Sequence, residues 1–241
     1  MGYITDVTGW KVRGKCECLV RQHTRERLKA AMIPEEFKGA SFNRYKRENA
    51  VQRAMYDAMV AYLQDFNQIQ NTPHNSIGFI ARYGEQRLKA LRSFEERRQM
   101  KTKHNNFGMG KTHLQIAAAK ELIKRGKAVL VVSDVMLMEE LMQAKRVDGV
   151  ELNRILGAVI QTPVLVWDDI GKSNPSDPRR SMYFQIIDER YKAQRPILFS
   201  SNEDPETLED RIGHAATSRL FGMARGRVYR VEGPDCRLVG S

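Results

Sequence analysis

The sequence is poor in cysteine. Three thiols in 241 residues cannot build a disulfide framework. Long apolar runs are missing too, and nothing approaches the ~18 residues of a membrane span. The first fifteen residues, MGYITDVTGWKVRGK, hold no apolar core of the signal-peptide kind. A cytoplasmic protein without a membrane partner is therefore expected. Acidic residues fall short of basic ones, 29 against 40, for a formal net charge of +11. That excess favours a polyanionic partner, nucleic acid first. The length suits one domain of about 200 residues plus an extension.

One further lack concerns a motif. Gly108-Met109-Gly110-Lys111-Thr112-His113-Leu114 has the ending of a phosphate-binding loop, followed by an Ala-rich helix from Leu114. Glycines let backbone N–H groups turn inward around a polyphosphate, and the helix N-terminus adds its dipole. Lys111 would reach the β- and γ-phosphates, and the Thr112 hydroxyl would sit on Mg²⁺. The pattern wants a glycine five residues before Gly110, where Asn105 stands. The charged residues ahead of it, Glu95 to His104, cannot be the buried strand that feeds such a loop.

A suitable strand lies about twenty residues earlier. Ile77 to Arg82 is apolar and followed by Gly84. Between Gly84 and Phe107 runs EQRLKALRSFEERRQMKTKHNN, residues 85–106. It carries seven basic side chains (Arg87, Lys89, Arg92, Arg97, Arg98, Lys101, Lys103) against three acidic ones (Glu85, Glu95, Glu96). Leu88, Leu91 and Phe94 recur every three residues, which predicts a basic helix through about Met100. Excising this stretch leaves strand, glycine, loop, Gly-Lys-Thr and helix. The loop is thus expected to be whole in space, with Gly84 as its first glycine and a basic arm inserted within it. A nucleic-acid role is expected for the arm.

The rest of the chain alternates strand and helix. An amphipathic helix over Asn49–Phe66 precedes the first strand. Apolar strands are predicted at 128–132, 163–169, 196–202 and 227–231, with helices at 114–125, 135–145, 151–160, 180–193 and from 204. That order gives a parallel α/β sheet covered by helices on both faces. The strand at 163–169 ends in Asp168 and Asp169. A carboxylate at a buried strand end is costly unless paired or near a metal. Asp168 is read as the Mg²⁺ holder and Asp169 as the base that activates water; a turn-capping role for Asp169 is the alternative. Asn202 is placed to bond a γ-phosphate or the water, or else to cap the next helix. Arg211 and Arg219 follow, either solvated or poised to stabilise transferring charge.

Together these residues resemble a family. IPEEFKGASF (33–42), NSIGFIARYG (75–84) with FGMGKTHL (107–114), VLVWDDIGK (164–172), QIIDERY (185–191), PILFSSN (196–202) and RIGHAATSRL (211–220) resemble the DnaC/DnaI-type replicative helicase loaders. These are AAA+ ATPases, and the IstB-type transposition helpers share most of the pattern. The resemblance implies a P-loop NTPase of the ASCE/AAA+ type, a three-layer α/β/α fold. It implies ATP and Mg²⁺ as cofactors, with residues 84 and 108–113 cradling the nucleotide. Asp168-Asp169 would be Walker B, Asn202 sensor I, and Arg219 an arginine finger acting on a neighbouring subunit, which implies self-assembly. Arg211 would be a second arginine of that box. Lys145 and Arg146 are implied contacts to single-stranded DNA, and Phe37 or Phe42 an adenine-pocket residue. The replicative helicase is the implied protein partner.

Residues 1–31 resemble half of a zinc ribbon, with 32–241 as the ATPase domain. Gly2-Tyr3-Ile4, Trp10 and Cys16-Glu17-Cys18 match the second half only, leaving two thiolates where zinc usually takes four ligands. Either the start is displaced or the module no longer binds zinc. Rival readings are a transposition helper and a nucleotide-independent adaptor for DNA or helicase. Retention of Lys111, Thr112, Asp168 and Asp169 together speaks against the adaptor.

Overall fold

A computed structural model describes residues 3–5, 12–15, 17–105 and 107–233. A short antiparallel pair, β1 (Tyr3–Thr5) and β2 (Val12–Lys15), leads into α1 (Glu17–Ala30). Cys16 lies outside the described residues, as do Gly2 and Trp10, and Cys18 stands on α1. The chain leaves α1 through Ala31, which is buried and accepts the Val131 N–H at 2.9 Å.

Helix α2 (Ala50–Ile69) starts at a capping box. The Asn49 side chain accepts the Gln52 N–H, and the Gln52 side chain accepts the Asn49 N–H, so two otherwise orphaned donors are satisfied. Met55, Met59, Tyr62, Leu63 and Phe66, at helical spacing, are buried.

The central sheet is all parallel. Its strands are β3 (Ile77–Ala81), β4 (Val129–Ser133), β5 (Val164–Asp168), β6 (Ile197–Ser200) and β7 (Val228–Val231), in the order β4-β5-β6-β3-β7. Helices fill the crossovers: α5 (Lys111–Lys124), then α6 (Asp134–Val147) with α7 (Gly149–Gln161), α8 (Asp177–Lys192), and α9 (Pro205–Ile212) with α10 (His214–Met223). Two apolar clusters form on opposite faces. One joins α2 and α5 to the sheet, the other joins α6 to α10. The result is the three-layer α/β/α arrangement that the alternation predicts. Arg190 ties the second layer together: it is wholly buried and donates to the carbonyls of Val159, Thr162 and Pro196. Burial lowers its pKa to about 9, and the carbonyls at the end of α7 replace its lost hydration.

The insertion departs from one continuous helix. It forms α3 (Glu85–Ala90) and α4 (Phe94–Lys103). Leu91 is extended, and Ser93 caps α4 by accepting the Glu96 N–H at 3.4 Å. The spacing of Leu88, Leu91 and Phe94 does not make one helix, because Leu88 packs inward while Phe94 is exposed.

Candidate active site

Parallel strands in a crossover fold carry their loops to the C-terminal edge, where ligands bind in such sheets. Register brings the parts there together. Ser133 pairs with Asp168, Trp167 with Phe199, and Phe79 with Ser200.

The loop is closed at its base despite the insertion. Tyr83, where the arm leaves, stacks on His104, where it returns, with ring centroids 5.2 Å apart. His104 Nδ1 lies 2.9 Å from Glu232 Oε2. Asn105 accepts the Gly233 N–H through its carbonyl and donates from Nδ2 to the carbonyls of Gly233 and Phe107. These contacts hem the insertion, so residues 107–110 run into α5 as though the arm were absent.

Gly108 and Gly110 take positive φ, 65° and 83°. At Gly110 a side chain is also sterically excluded, since a Cβ would come 2.7 Å from the Tyr45 ring. The Tyr45 hydroxyl donates to the Met109 carbonyl at 3.1 Å and holds the loop from below. His113 Nε2 lies 2.9 Å from the Ser41 carbonyl, which fixes the first turn of α5 to the segment after α1. Phe42 packs edge-on against Tyr56, and Phe37 packs on the same cluster.

Gly84 is corrected by the structure. Its N–H donates to Asp204 Oδ2 at 2.8 Å, and it caps α3. An amide engaged by a carboxylate does not face a phosphate. Asn105 opens the loop instead.

At the strand ends the polar groups form one network. Lys111 Nζ donates to Asn202 Oδ1 at 2.6 Å. Asn202 Nδ2 donates to Asp169 Oδ1 at 2.8 Å. The Thr112 hydroxyl lies 2.9 Å from Asp168 Oδ1, and the Ser200 hydroxyl donates to the same oxygen at 2.6 Å. The Asp169 N–H donates to Ser200 Oγ at 3.0 Å. Asp169 has φ of 54°, unusual for a non-glycine residue. Burial, and then the Asp168 charge, push its carboxyl from the ordinary 3.8 up to about 6, against the pull of Lys111 and Lys172. A carboxylate so tuned suits proton abstraction near neutrality. Asn202 is not a helix cap, because Asp204 caps α9 by accepting the Thr207 N–H.

Thr112 and Asp168 supply two oxygens at mutual contact distance, a donor set that fits Mg²⁺, which takes few protein ligands beside phosphate and water. Lys111 is buried at the head of α5, where its ammonium would meet a bound phosphate.

Several site residues were not singled out by the sequence. Ser200 was visible only as the polar end of a strand. Lys172 bonds Glu85 Oε2 at 2.5 Å and stands over the Phe107 ring. Burial opposes ionisation of Glu85, but the bonds from Lys172 and Lys89 outweigh it and lower its pKa. Asp134 is buried and accepts from the Trp167 indole, the Tyr183 hydroxyl and the Ser173 N–H. Its carboxyl is raised by burial, and it braces the end of β5 from behind.

The two arginines part company. Arg211 is buried and donates to the carbonyls of Gly171, Lys172 and Ser173. It clamps the loop after Asp169 and is spent within its own chain, which corrects its placement beside a finger. Arg219 lies on α10, paired with Asp188 at 2.6 Å and over the Phe184 ring. Lys145 and Arg146 are exposed in the last turn of α6.

Comparison with known proteins agrees with this geometry. The family model described as IstB-like ATP binding protein matches residues 43–218. Among relatives, the phage-like element PBSX protein XkdC of Bacillus subtilis is 25% identical over 98% of this chain and 81% of its own. The replicative helicase loader DnaC of Escherichia coli K12 is 29% identical over 55% of each chain, so the match spans about half of that loader. A crystal structure of the DnaC helicase loader superposes with a TM-score of 0.62 at 20% identity, covering 82% of this chain and all of that one. AMPPCP-bound DnaA from Aquifex aeolicus shares the fold, with a TM-score of 0.55 over 76% of this chain and 48% of its own, at 21% identity. With the phosphate loop closed at its base and the strand-end network in place, the chain belongs to the IstB-like ATP-binding protein family and has the AAA+ P-loop fold.

Proposed function

We propose that the chain is an ATP-hydrolysing helicase loader, which assembles on single-stranded DNA and delivers a replicative helicase. The observation that supports this most is the unbroken chain Lys111–Asn202–Asp169 beside Thr112–Asp168, in a protein similar to DnaC loaders. The loop amides at 108–112 and the Lys111 ammonium would hold the ATP phosphates, and Thr112 and Asp168 would hold Mg²⁺. Bound there, the metal supplies charge neutralisation on the phosphates. Asp169 takes the proton of the attacking water, and Asn202 orients it. Arg219 adds positive charge from a neighbouring subunit.

Turnover measured alone, with single-stranded DNA, and with a replicative helicase tests the reading. ATP-dependent helicase capture on DNA is expected. A purified protein that binds no ATP under any of these conditions would end it.

The family description favours a second reading, a transposition helper of the IstB type. ATP-dependent stimulation of a transposase without helicase capture would select it. The adaptor reading requires that Lys111→Ala leave loading unchanged.

A further inference from the structure

The helix α4 buries none of its described side chains and packs only against α3 among the described elements that it touches closely. Its stripe runs the wrong way for a core helix. Phe94, Arg97, Arg98 and Lys101 fall at i, i+3, i+4 and i+7, so one face carries them all. That spacing normally sets an apolar face toward a core. Here it sets an aromatic ring, 75% exposed, beside three cations. Arg92, in the turn before α4, is exposed as well.

The basic residues of α3 are committed. Arg87 is paired with Asp204 and Glu206, and Lys89 with Glu85. The charge is thus sorted: α3 spends Arg87 and Lys89 on anchoring, while Arg97 and Lys101 on α4 are exposed.

A ring flanked by cations is the chemistry of single-stranded nucleic acid binding. Bases stack on the ring while phosphates meet the charges, without need of sequence. A duplex offers phosphates but no open base face for the ring. We infer that α4 is a single-stranded DNA contact, with Phe94 stacking on a base and Arg92, Arg97 and Lys101 engaging phosphates. It is separate from Lys145 and Arg146 on α6. The inference rests on the loader reading and gives that reading a second DNA contact, beside the phosphate loop.

The arm is also wired to the active site. The N–H groups of Gly84, Glu85 and Gln86 donate in succession to Asp204 Oδ2, the Asn202 carbonyl and Glu203 Oε2.

Anisotropy of a labelled oligo(dT), and of an abasic strand of equal length, tests the site on the full chain with MgATP. Phe94→Ala should weaken oligo(dT) binding about 5- to 100-fold and leave abasic binding unchanged, while Phe94→Trp retains affinity. Arg97→Gln with Lys101→Gln should weaken both strands and reduce the salt slope by about 1.4. Because Phe94 is exposed, its thermal melt should match wild type, so a binding loss is not an unfolding. Oligo(dT) bound equally by Phe94→Ala and wild type would overturn the site while leaving the loader reading intact. Loss of helicase capture without loss of DNA binding would make α4 a protein-docking face and also overturn it. A wild-type protein that hydrolyses ATP and binds no single-stranded DNA would remove the DNA part of the loader reading, and this site with it.

Discussion

Lys111 Nζ stands 2.6 Å from Asn202 Oδ1, and the same side chain holds Asp169 Oδ1 at 2.8 Å through its amide. One asparagine therefore reads both the phosphate-binding cation and the base. The two variants should separate binding from chemistry. Lys111→Ala removes the buried counter-charge and should abolish ATP binding, measured with a fluorescent nucleotide. Asn202→Ala should leave affinity within about tenfold but lower turnover about 10²-fold, the scale of losing one positioned donor. Equal losses in affinity for both variants would count against the division of labour.

Asp169 carries a stability cost that depends on pH. In the metal-free protein its carboxyl titrates at about 6, against 3.8 ordinarily, because of burial and then Asp168. Below pH 3.8 both folded and unfolded forms hold the proton and nothing is lost. Between 4 and 6 the unfolded chain releases its proton first, so folding weakens as pH rises. Above 6 the full penalty, about 3 kcal/mol, is in place. Asp169→Asn removes it. In EDTA the variant's gain over wild type should grow by about 2 kcal/mol from pH 4.5 to 7.5, read from urea melts. A gain independent of pH would contradict the assignment. The same variant should not turn over ATP.

The order of strands and helices was legible because buried parallel strands are apolar runs and the crossover helices are periodic. The pair of carboxylates at the strand end was legible because Asp168-Asp169 closes such a run. Gly84 misled for a physical reason: a glycine at a strand end serves a phosphate loop or a helix cap equally well, and only the position of Asp204, 120 residues away, decides. Arg211 misled likewise. The resemblance places it in one box with Arg219, but burial against the carbonyls of residues 171–173 depends on how α9 packs. Ser200, Lys172 and Glu85 meet only through the fold, and nothing local marks them.

The arginines give opposite expectations. Arg211→Ala leaves three carbonyls short of a donor and opens a gap under the loop after Asp169, which should cost about 2–3 kcal/mol. Arg219→Ala breaks a half-exposed pair with Asp188 and should cost under about 1 kcal/mol. Thermal melts distinguish them. Turnover should show the reverse for Arg219: its loss should silence the assembled enzyme. Mixing Arg219→Ala subunits with Lys111→Ala subunits should restore some activity, since each supplies what the other lacks. No restoration at any ratio would argue that Arg219 does not act across subunits.

The insertion can be cut in two ways with different results. Replacing residues 92–103 by a short Gly-Ser turn removes α4, none of whose described side chains is buried. The Tyr83–His104 stack and the Asn105–Gly233 bonds remain to close the loop. Stability should stay within about 0.5 kcal/mol of wild type, as for surface changes, and nucleotide affinity should hold. Extending the cut back through Glu85 removes buried Leu88, the Glu85 and Gln86 N–H groups that the Asn202 carbonyl and Glu203 accept, and the Arg87 guanidinium paired with Asp204. Glu203 is buried, with its carboxyl already raised by desolvation, so losing the Gln86 N–H leaves it without that partner. Such orphaned buried acceptors cost about 1–3 kcal/mol each, and Leu88 adds about 2. The longer cut should therefore unfold at markedly lower urea and slow turnover through Asn202. If both cuts melt alike, α3 is not the anchor that the hydrogen bonds describe.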